Sequence, residues 1–405
     1  MEIINGKYAS AKIFSNSVEK YAITQIENIC NNEVAKNAKV RVMSDVHPGL
    51  ICPIGFTMTL ENLENDKTGR ILPNLVSVDI GCGVTIAKIT KSRGIEFKKL
   101  DSVIRNCVPS GFNIRKNPHR FSFDLEFSKL KCQKHIFKEK AVLSLGTLGG
   151  GNHFIEIDKS RDNEIFITVH TGSRHLGKEI TDFYLNEGRK ILREKACEKG
   201  FENSIEIPPY ELTYLEGNLM KDYLEDMKFA QNFAELNRLA IIDEIAKGMK
   251  WKIDESYSCA HNYIDFGEEQ SKCDDIKNTN GTFSSVPILR KGAISSQKGE
   301  RVIIPVNMRD GVILGVGKGN EDWNFSAPHG SGRIMKREDV KKSFTVNAFK
   351  KSMEGIYSSC IEKGTLDEAP FAYRRIDEIA KAIEPTVEVT KILKPIYNFK
   401  AASED

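Results

Sequence analysis

Apolar residues recur along this chain in two rhythms. The clearest spans about Leu219 to Lys250, where Met220, Tyr223, Met227, Ala230, Ala234, Ile241 and Ile245 return at three- and four-residue steps. That spacing is one face of an α-helix. Asn237 and Arg238 interrupt it, and either a solvated face or substrate contact accounts for them. A second helical rhythm covers residues 12–31, with Ile13, Val18, Tyr21, Ile26 and Ile29 as its buried face. Further helices are expected at about Lys178 to Glu198 and Arg337 to Glu354. Residues 40–93 read instead as short strands broken by glycine turns, among them the run Leu75 to Ile80. Gly146 to Ile157 and Ile165 to Ser173 read as two strands flanking the charged turn Asp158 to Asn163. Residues 113–135 are polar, contain Pro118 and read as a variable excursion, while Asn278 to Thr282 and Gly315 to Asn320 read as loops. No repeat or linker divides the pattern, so one domain over residues 1–405 is expected.

Composition narrows the class. With 40% hydrophobic and 28% charged residues, the 405-residue chain reads as a soluble globular protein with a sizeable core. Its 59 basic and 56 acidic residues leave a net charge of only +3, too balanced to argue for nucleic acid by itself. Nine cysteines without regular spacing suit a reducing, cytoplasmic setting. Met1-Glu2-Ile3-Ile4-Asn5-Gly6 lacks the basic start and apolar run of a signal peptide, and no apolar stretch is long enough to span a membrane.

The chemistry gathers in short polar segments. Of eight histidines, six lie in stretches rich in Gly, Asn, Ser or Arg: Asp45-Val46-His47-Pro48-Gly49, Gly151-Asn152-His153-Phe154, Val169 to His175 (holding His170), Ala260-His261-Asn262-Tyr263 and Ala327 to Arg333 (holding His329). His119 and His135 have no such surroundings and read as solvated surface. In the His329 loop, glycines allow close backbone approach and Arg333 offers a flat fork for phosphate oxygens. A histidine held there can attack phosphorus and carry the group as a phosphoramidate. Taken alone, the loop suits a structural hydrogen-bonder better than a nucleophile. In Val76 to Val84, Asp79 and Cys82 stand three apart with Gly81 and Gly83 to bend the backbone. A carboxylate, a thiolate and imidazoles are the ingredients of a divalent transition-metal site. A buried free cysteine beside a turn aspartate is the alternative.

These segments, in this order, resemble the RtcB-type RNA-splicing ligases. The family's Asp-Val-His-x-Gly loop, Asp-x-x-Cys-Gly turn, Gly-Gly-Gly-Asn-His-Phe run, Val-His-Ser-Gly-Ser-Arg run, His-Asn pair and His-Gly-Ala-Gly-Arg loop match Asp45 to Gly49, Asp79 to Gly83, Gly149 to Phe154, Val169 to Arg174, His261-Asn262 and His329 to Arg333. Arg290 to Ala293 and Val387 to Val389 are also similar, so the resemblance spans about residues 40–400.

The resemblance implies an α+β fold of the family's own, with mixed sheets and flanking helices around a dinuclear metal centre. It implies a GTP-dependent ligase with two Mn²⁺ ions, joining RNA 2′,3′-cyclic phosphate or 3′-phosphate ends to 5′-hydroxyl ends in tRNA splicing or RNA repair. Cys82 would bridge both metals, with Asp79 and His153 completing one site and His170 and His261 the other. His329 would take up GMP. Asn152, Phe154, Glu156, Asn262, Gly330, Ser331 and Gly332 match positions lining the nucleotide pocket, and Lys400, in a C-terminal segment 385–405 that returns to the pocket, matches a lysine that contacts the guanine nucleotide. Arg174 and Arg333 are candidate phosphate binders or structural arginines, His47 is a channel-lining or turn histidine, and His175 is non-essential.

Where the family has Ile-Pro-Gly-Ser-Met-Gly, this chain has Ile304-Pro305-Val306-Asn307-Met308-Arg309-Asp310-Gly311. Pro305, Asn307 and Met308 are carried as nucleotide contacts, with Asn307 able to donate to a phosphate and Arg309 to add charge. The chain end Lys400-Ala401 also departs from the family's lysine-glycine. These changes suggest a divergent branch, given more to RNA repair than to splicing. Two other readings stay open at this point: a metal-dependent phosphohydrolase that works without nucleotide, and a non-catalytic RNA-end binder.

Overall fold

Apolar strands pair into two large sheets and one two-stranded sheet. The strands run, in chain order, β1 (Glu2–Asn5), β2 (Ser10–Ile13), β3 (Val40–His47), β4 (Ile54–Thr59), β5 (Gly83–Ile89), β6 (Phe154–Lys159), β7 (Ile165–Thr171) and β8 (Ile253–Ala260). They continue as β9 (Asn262–Asp265), β10 (Ile288–Lys291), β11 (Ala293–Ser295), β12 (Arg301–Asn307), β13 (Gly311–Gly317), β14 (Ser326–Pro328) and β15 (Val387–Lys400). One sheet has seven strands in the order β12-β13-β15-β6-β7-β5-β8, the other six in the order β1-β2-β3-β4-β10-β9, and β11 pairs with β14. The fold is α+β, and its computed structural model describes residues 2–61, 63, 69–90, 94–198, 207–267 and 286–401. The loop expected at Asn278 to Thr282 and the last residues of segment 385–405 lie outside the described residues.

The helices are α1 (Lys20–Cys30), α2 (Pro73–Val76), α3 (Phe97–Cys107), α4 (Lys138–Ser144), α5 (Arg174–Glu198), α6 (Gly217–Met249), α7 (Arg337–Ser343), α8 (Val346–Ser352) and α9 (Ile376–Ala382). The long α6 buries the face its periodicity predicts, including Met220, Tyr223, Met227, Ala230, Ala234, Ile241 and Ile245. It packs between α3 and α5 and against β5 and β7, so it backs the seven-stranded sheet. Asn237 and Arg238 are neither solvated nor on a substrate surface; both are buried within this packing. No described helix is long and apolar enough to cross a membrane.

Several expectations need correction. The rhythm at residues 12–31 merges two elements: Ile13 belongs to β2, the helix starts only at Lys20, and Tyr21 is exposed. Leu75 to Ile80 is not a strand, because Pro73 at the first turn starts the short helix α2 and the strand begins later, at Gly83. The loop 146–153 is not extended either; Gly146, Gly149 and Gly151 all take positive φ, and the strand begins at Phe154. The hairpin of β6 and β7 forms in the expected place, with Phe154 opposite His170. Gly315 to Gly317 lie in β13 rather than a loop. The helix expected at Arg337 to Glu354 breaks into α7 and α8, where the Thr345 side chain accepts from Ala348 N at 3.2 Å. His119 is buried, not solvated, with Nε2 3.1 Å from Asp243 Oδ2, whereas His135 is exposed. The extended tail is the interior strand β15, held between β13 and β6.

Candidate active site

Sheet register brings distant residues to one end of the seven-stranded sheet. Gly83, at the start of β5, lies opposite Thr171 of β7 and Ala260 of β8. That pairing sets Cys82 beside His170 and His261. Phe154 opposite His170 adds His153 from the residue before β6. Cys82 Sγ is 3.4 Å from His170 Nε2 and 3.6 Å from His153 Nε2. Asp79 Oδ2 lies 3.3 Å from His153 Nε2, and the His170 and His261 rings are 5.2 Å apart. Thus all five expected ligand residues share one small volume.

Backbone carbonyls fix two of the imidazoles. His153 Nδ1 is 2.9 Å from Leu148 O, and His170 Nδ1 is 3.3 Å from Asn152 O. A ring that donates from Nδ1 leaves its Nε2 lone pair facing the thiol, the arrangement of a metal-ligating histidine. Asp79 Oδ1 accepts from Ser173 N at 3.1 Å, and a side chain at Gly172 would collide with that carboxylate. Beneath the cluster, Arg238 donates to Gly81 O at 3.0 Å, Thr171 O at 2.9 Å and Thr85 Oγ1 at 2.8 Å. Asn237 donates to Thr147 O and Gly172 O and accepts from Gly146 N and Thr147 N. The pair that interrupts the helical pattern is therefore the brace under the cysteine turn and the glycine loop.

Protonation fits a cation at this point. Burial, then the imidazoles of His153 and His329 and the Lys400 ammonium, hold His170 well below its ordinary value. Burial, His329, His170 and Arg238 do the same to His261, so both rings are neutral donors. Burial pushes the Cys82 thiol well up, with Asp79 adding to it. Burial also raises Asp79, but His153, Cys82 and Arg174 outweigh it and the carboxyl lies below its usual range. His261 Nδ1 is buried without a hydrogen-bond partner. Neutral imidazoles, an orphaned nitrogen, a carboxylate and a thiol that only a cation would ionise together fit a divalent metal.

The cluster opens into a cavity of ≈ 290 Å³. Asp79, Cys82, His170 and His261 line it together with the His329 loop and the β12–β13 hairpin. The His329 ring is 4.6 Å from that of His261, and its Nδ1 is 2.7 Å from Asp45 Oδ2. The contact is close but not aligned as a hydrogen bond, since His329 Nδ1 lacks a bonded partner. Asp45 is fully buried, and its Oδ2 also accepts from Gly330 N at 3.3 Å. Ser331 Oγ donates to Val306 O at 2.6 Å and ties the loop to the hairpin.

A family profile described as tRNA-splicing ligase RtcB matches residues 25–134 and 124–401. The chain belongs to the RtcB family. The RNA-splicing ligase RtcB of Escherichia coli strain K12 is 29% identical over 399 residues, covering 89% of this chain and 90% of the relative. The tRNA-splicing ligase RtcB of Nanoarchaeum equitans is 26% identical over 453 residues, covering 92% and 90%. That of Pyrobaculum aerophilum is 25% identical over 430 residues, covering 87% and 85%.

Within this RtcB cavity, Asn152, Phe154, Glu156, Asn262, Pro305, Asn307, Met308, Gly330, Ser331, Gly332, Arg333 and Lys400 all contribute to the lining, as does His47. His153 sits behind Cys82, outside the lining. Arg174 is also outside it; its guanidinium donates to Gly111 O at 2.9 Å and Thr147 Oγ1 at 3.2 Å. Arg333 reaches the cavity but donates to Glu368, Tyr373 Oη and the carbonyls of Met335 and Asp367. Asn307 spends its amide on its own turn, accepting from Arg309 N and Asp310 N and donating to Asp310 Oδ2. The Val306-Asn307 departure thus closes a hairpin, and Arg309 is paired with Asp310.

Sequence reasoning missed two carboxylates. Asp45 stands in a segment noted only for His47. Glu368 gives no local signal, yet it is buried in contact with Lys400 at 2.5 Å, Arg333 at 3.2 Å, Arg337 at 2.6 Å and Tyr373 Oη at 2.6 Å. Burial raises its carboxyl, but the three cations outweigh that and hold it far below the usual range. Asn398 was missed as well; it donates to Glu156 Oε2 at 2.5 Å on the cavity wall.

Proposed function

We propose that this protein is a GTP- and Mn²⁺-dependent RNA ligase. It joins RNA 2′,3′-cyclic phosphate or 3′-phosphate ends to 5′-hydroxyl ends through a covalent His329–GMP intermediate, in cytoplasmic RNA repair or tRNA splicing. The names of its relatives support the reaction class. The observation that carries the reading is His329, whose ring stands 4.6 Å from His261 of the Cys82 cluster and 2.7 Å from the Asp45 carboxylate.

Asp45 faces Nδ1, so Nε2 is the nitrogen left for attack. Turning the ring slightly would align Nδ1–H on the carboxylate, which then orients the imidazole and favours the charged ring as it forms a bond. Nε2 bonds to the α-phosphorus of GTP while the P–O bond to pyrophosphate breaks. The GMP then passes to an oxygen of the RNA 3′-phosphate, the P–N bond breaks and the imidazole is restored. The 5′-hydroxyl of the second RNA attacks that RNA phosphorus, loses its proton, and displaces GMP. A cyclic end is first opened by water. Divalent ions bound by Asp79, Cys82, His153, His170 and His261 would supply Lewis-acid charge to the phosphoryl oxygens. Lys400 and Glu156 line the same cavity and offer a cation and a carboxyl to the nucleotide.

The test is incubation with α-labelled GTP and Mn²⁺, Zn²⁺, Co²⁺ or Mg²⁺, followed by mapping of the modified residue. Label on His329 that is abolished in His329→Ala is expected. Full labelling of that variant would remove the assignment, and phosphate release without GTP would favour a phosphohydrolase.

A further inference from the structure

The most exposed aromatics concentrate in one stretch of the chain. Phe112 and Phe123 are each 83% exposed and Phe137 is 71% exposed. All three lie in or beside the excursion 113–135. Residues 109–140 hold eight Lys and Arg against three Asp and Glu, more positive charge than the whole chain shows, so the rest is slightly acidic. Lys116, Lys134, Lys138 and Lys140 are exposed among these rings.

The excursion is not a loose loop. Leu125, Phe127, Leu130, Cys132 and Ile136 are buried in the main core. Asp226 of α6 accepts from the backbone N–H groups of Lys131 and Cys132. Arg120 and His119 are held by Asp243, and Arg115 by Glu244. Phe127 is 5% exposed, so the segment has apolar space and fills it. Phe112 and Phe137 therefore remain in water on a fixed backbone.

Two of these residues are tied to segments that lead toward the cavity. Gly111, next to Phe112, donates from its N to Gly149 O at 3.0 Å, and Gly111 O accepts from Arg174. Phe137 N donates to Glu179 Oε2 at 3.1 Å, in the second turn of α5. Between them lie the glycine loop 149–151 and the first turn of α5. A side chain at Gly151 would meet only open space, so a strand could approach there. The same loop leads to Asn152, which is exposed and lines the cavity.

We propose that Phe112 and Phe137, with Lys138 and Lys140, form a stacking platform for unpaired nucleotides of the RNA strand whose end enters the cavity. Every base offers a π-face, so aromatic rings amid lysines bind single strands with little regard to sequence. The proposal takes RNA as substrate from the reading above. It does not depend on guanylylation.

Binding of a short fluorescent oligoadenylate with a 3′-phosphate, followed by anisotropy without GTP, tests it. Each of Phe112→Ala and Phe137→Ala should weaken binding about tenfold. Phe112→Tyr should bind like the wild type, and labelling of His329 by GTP should be unchanged in all three. Unchanged affinity in both alanine variants overturns the platform, as does a blunt RNA duplex that loses affinity as much as the single strand. A wild-type dimer that the alanine changes dissociate, with RNA affinity intact, also overturns it and assigns the rings to a second copy. Failure of wild-type labelling with these RNA results intact would sink the guanylate mechanism and leave the platform standing.

Discussion

Asp45 Oδ2 lies 2.7 Å from His329 Nδ1, joining the end of β3 to the loop after β14. The carboxylate is fully buried and also caps Gly330 N, so it fixes both the ring and the loop that carries it. Asp45→Asn keeps the shape and removes the charge that would favour an imidazolium. Single-turnover labelling by GTP should fall on the order of 10²–10⁴-fold, with thermal stability little changed. A labelling rate equal to the wild type would show that the contact is structural only.

Cys82 is the hub between His153 and His170. Cys82→Ala should abolish metal retention as measured by elemental analysis after gel filtration. Mn²⁺ should raise the melting temperature of the wild-type protein, since an ion that binds only the folded state stabilises it. That rise should vanish in Cys82→Ala. Normal metal content in the variant would place the ion elsewhere.

Arg238 is 1% exposed and donates to two backbone carbonyls and one hydroxyl beneath the metal turn. Arg238→Met fills similar space and leaves those acceptors unpaired. A loss of about 3 kcal/mol or more in urea unfolding is expected, together with weaker metal binding. Reduced metal affinity with undiminished stability would separate a positioning role from a structural one.

His175 sits half-buried at the start of α5. Burial, then Lys140 and Arg174, lower its pKa to about 4. In the unfolded chain it titrates near ~6.5. Between those values the unfolded state binds the extra proton, so this contribution is intact above ~6.5 and is lost as pH falls toward 4. The slope due to one group is at most about 1.4 kcal/mol per pH unit. His175→Asn should flatten urea-derived stability against pH in that window. An unchanged slope would mean that the ring is already solvated.

Most of the residues that meet around the cavity could be read along the chain because they come in short segments. Asp79 and Cys82 share one turn, Asn152 and His153 another, and the glycines around them mark where backbone comes close. The long helix α6 was legible for a similar reason, since fifteen buried positions leave a strong period. Where elements are short, pattern failed. The strand holding Ile13 and the helix after it blurred into one rhythm, and Pro73 turned an apparent strand into a helix.

Buried polar residues were the other blind spot. His119 looked solvated, and Asn237 and Arg238 either solvated or in contact with substrate, because a sequence records polarity and not partners; all three are buried. Each is satisfied by groups far away in the chain: Asn237 by the glycine loop, Arg238 by β7 and the Gly81 turn, His119 by α6. Glu368 had no signal at all, for its meaning lies in three cations drawn from two other segments, Arg333 and Arg337 from one and Lys400 from the other.

Residue type and spacing alone specify the carboxylate, thiol and imidazole side chains on offer and the glycine turns that present them, since both are local properties. Folding in three dimensions set the rest: Asp45 backs His329, Asn307 closes its own hairpin, and Arg174 binds Gly111 O and Thr147 Oγ1 outside the cavity lining. Those outcomes depend on strand register and on competition among buried donors and acceptors, and such pairings form only when distant segments leave water together.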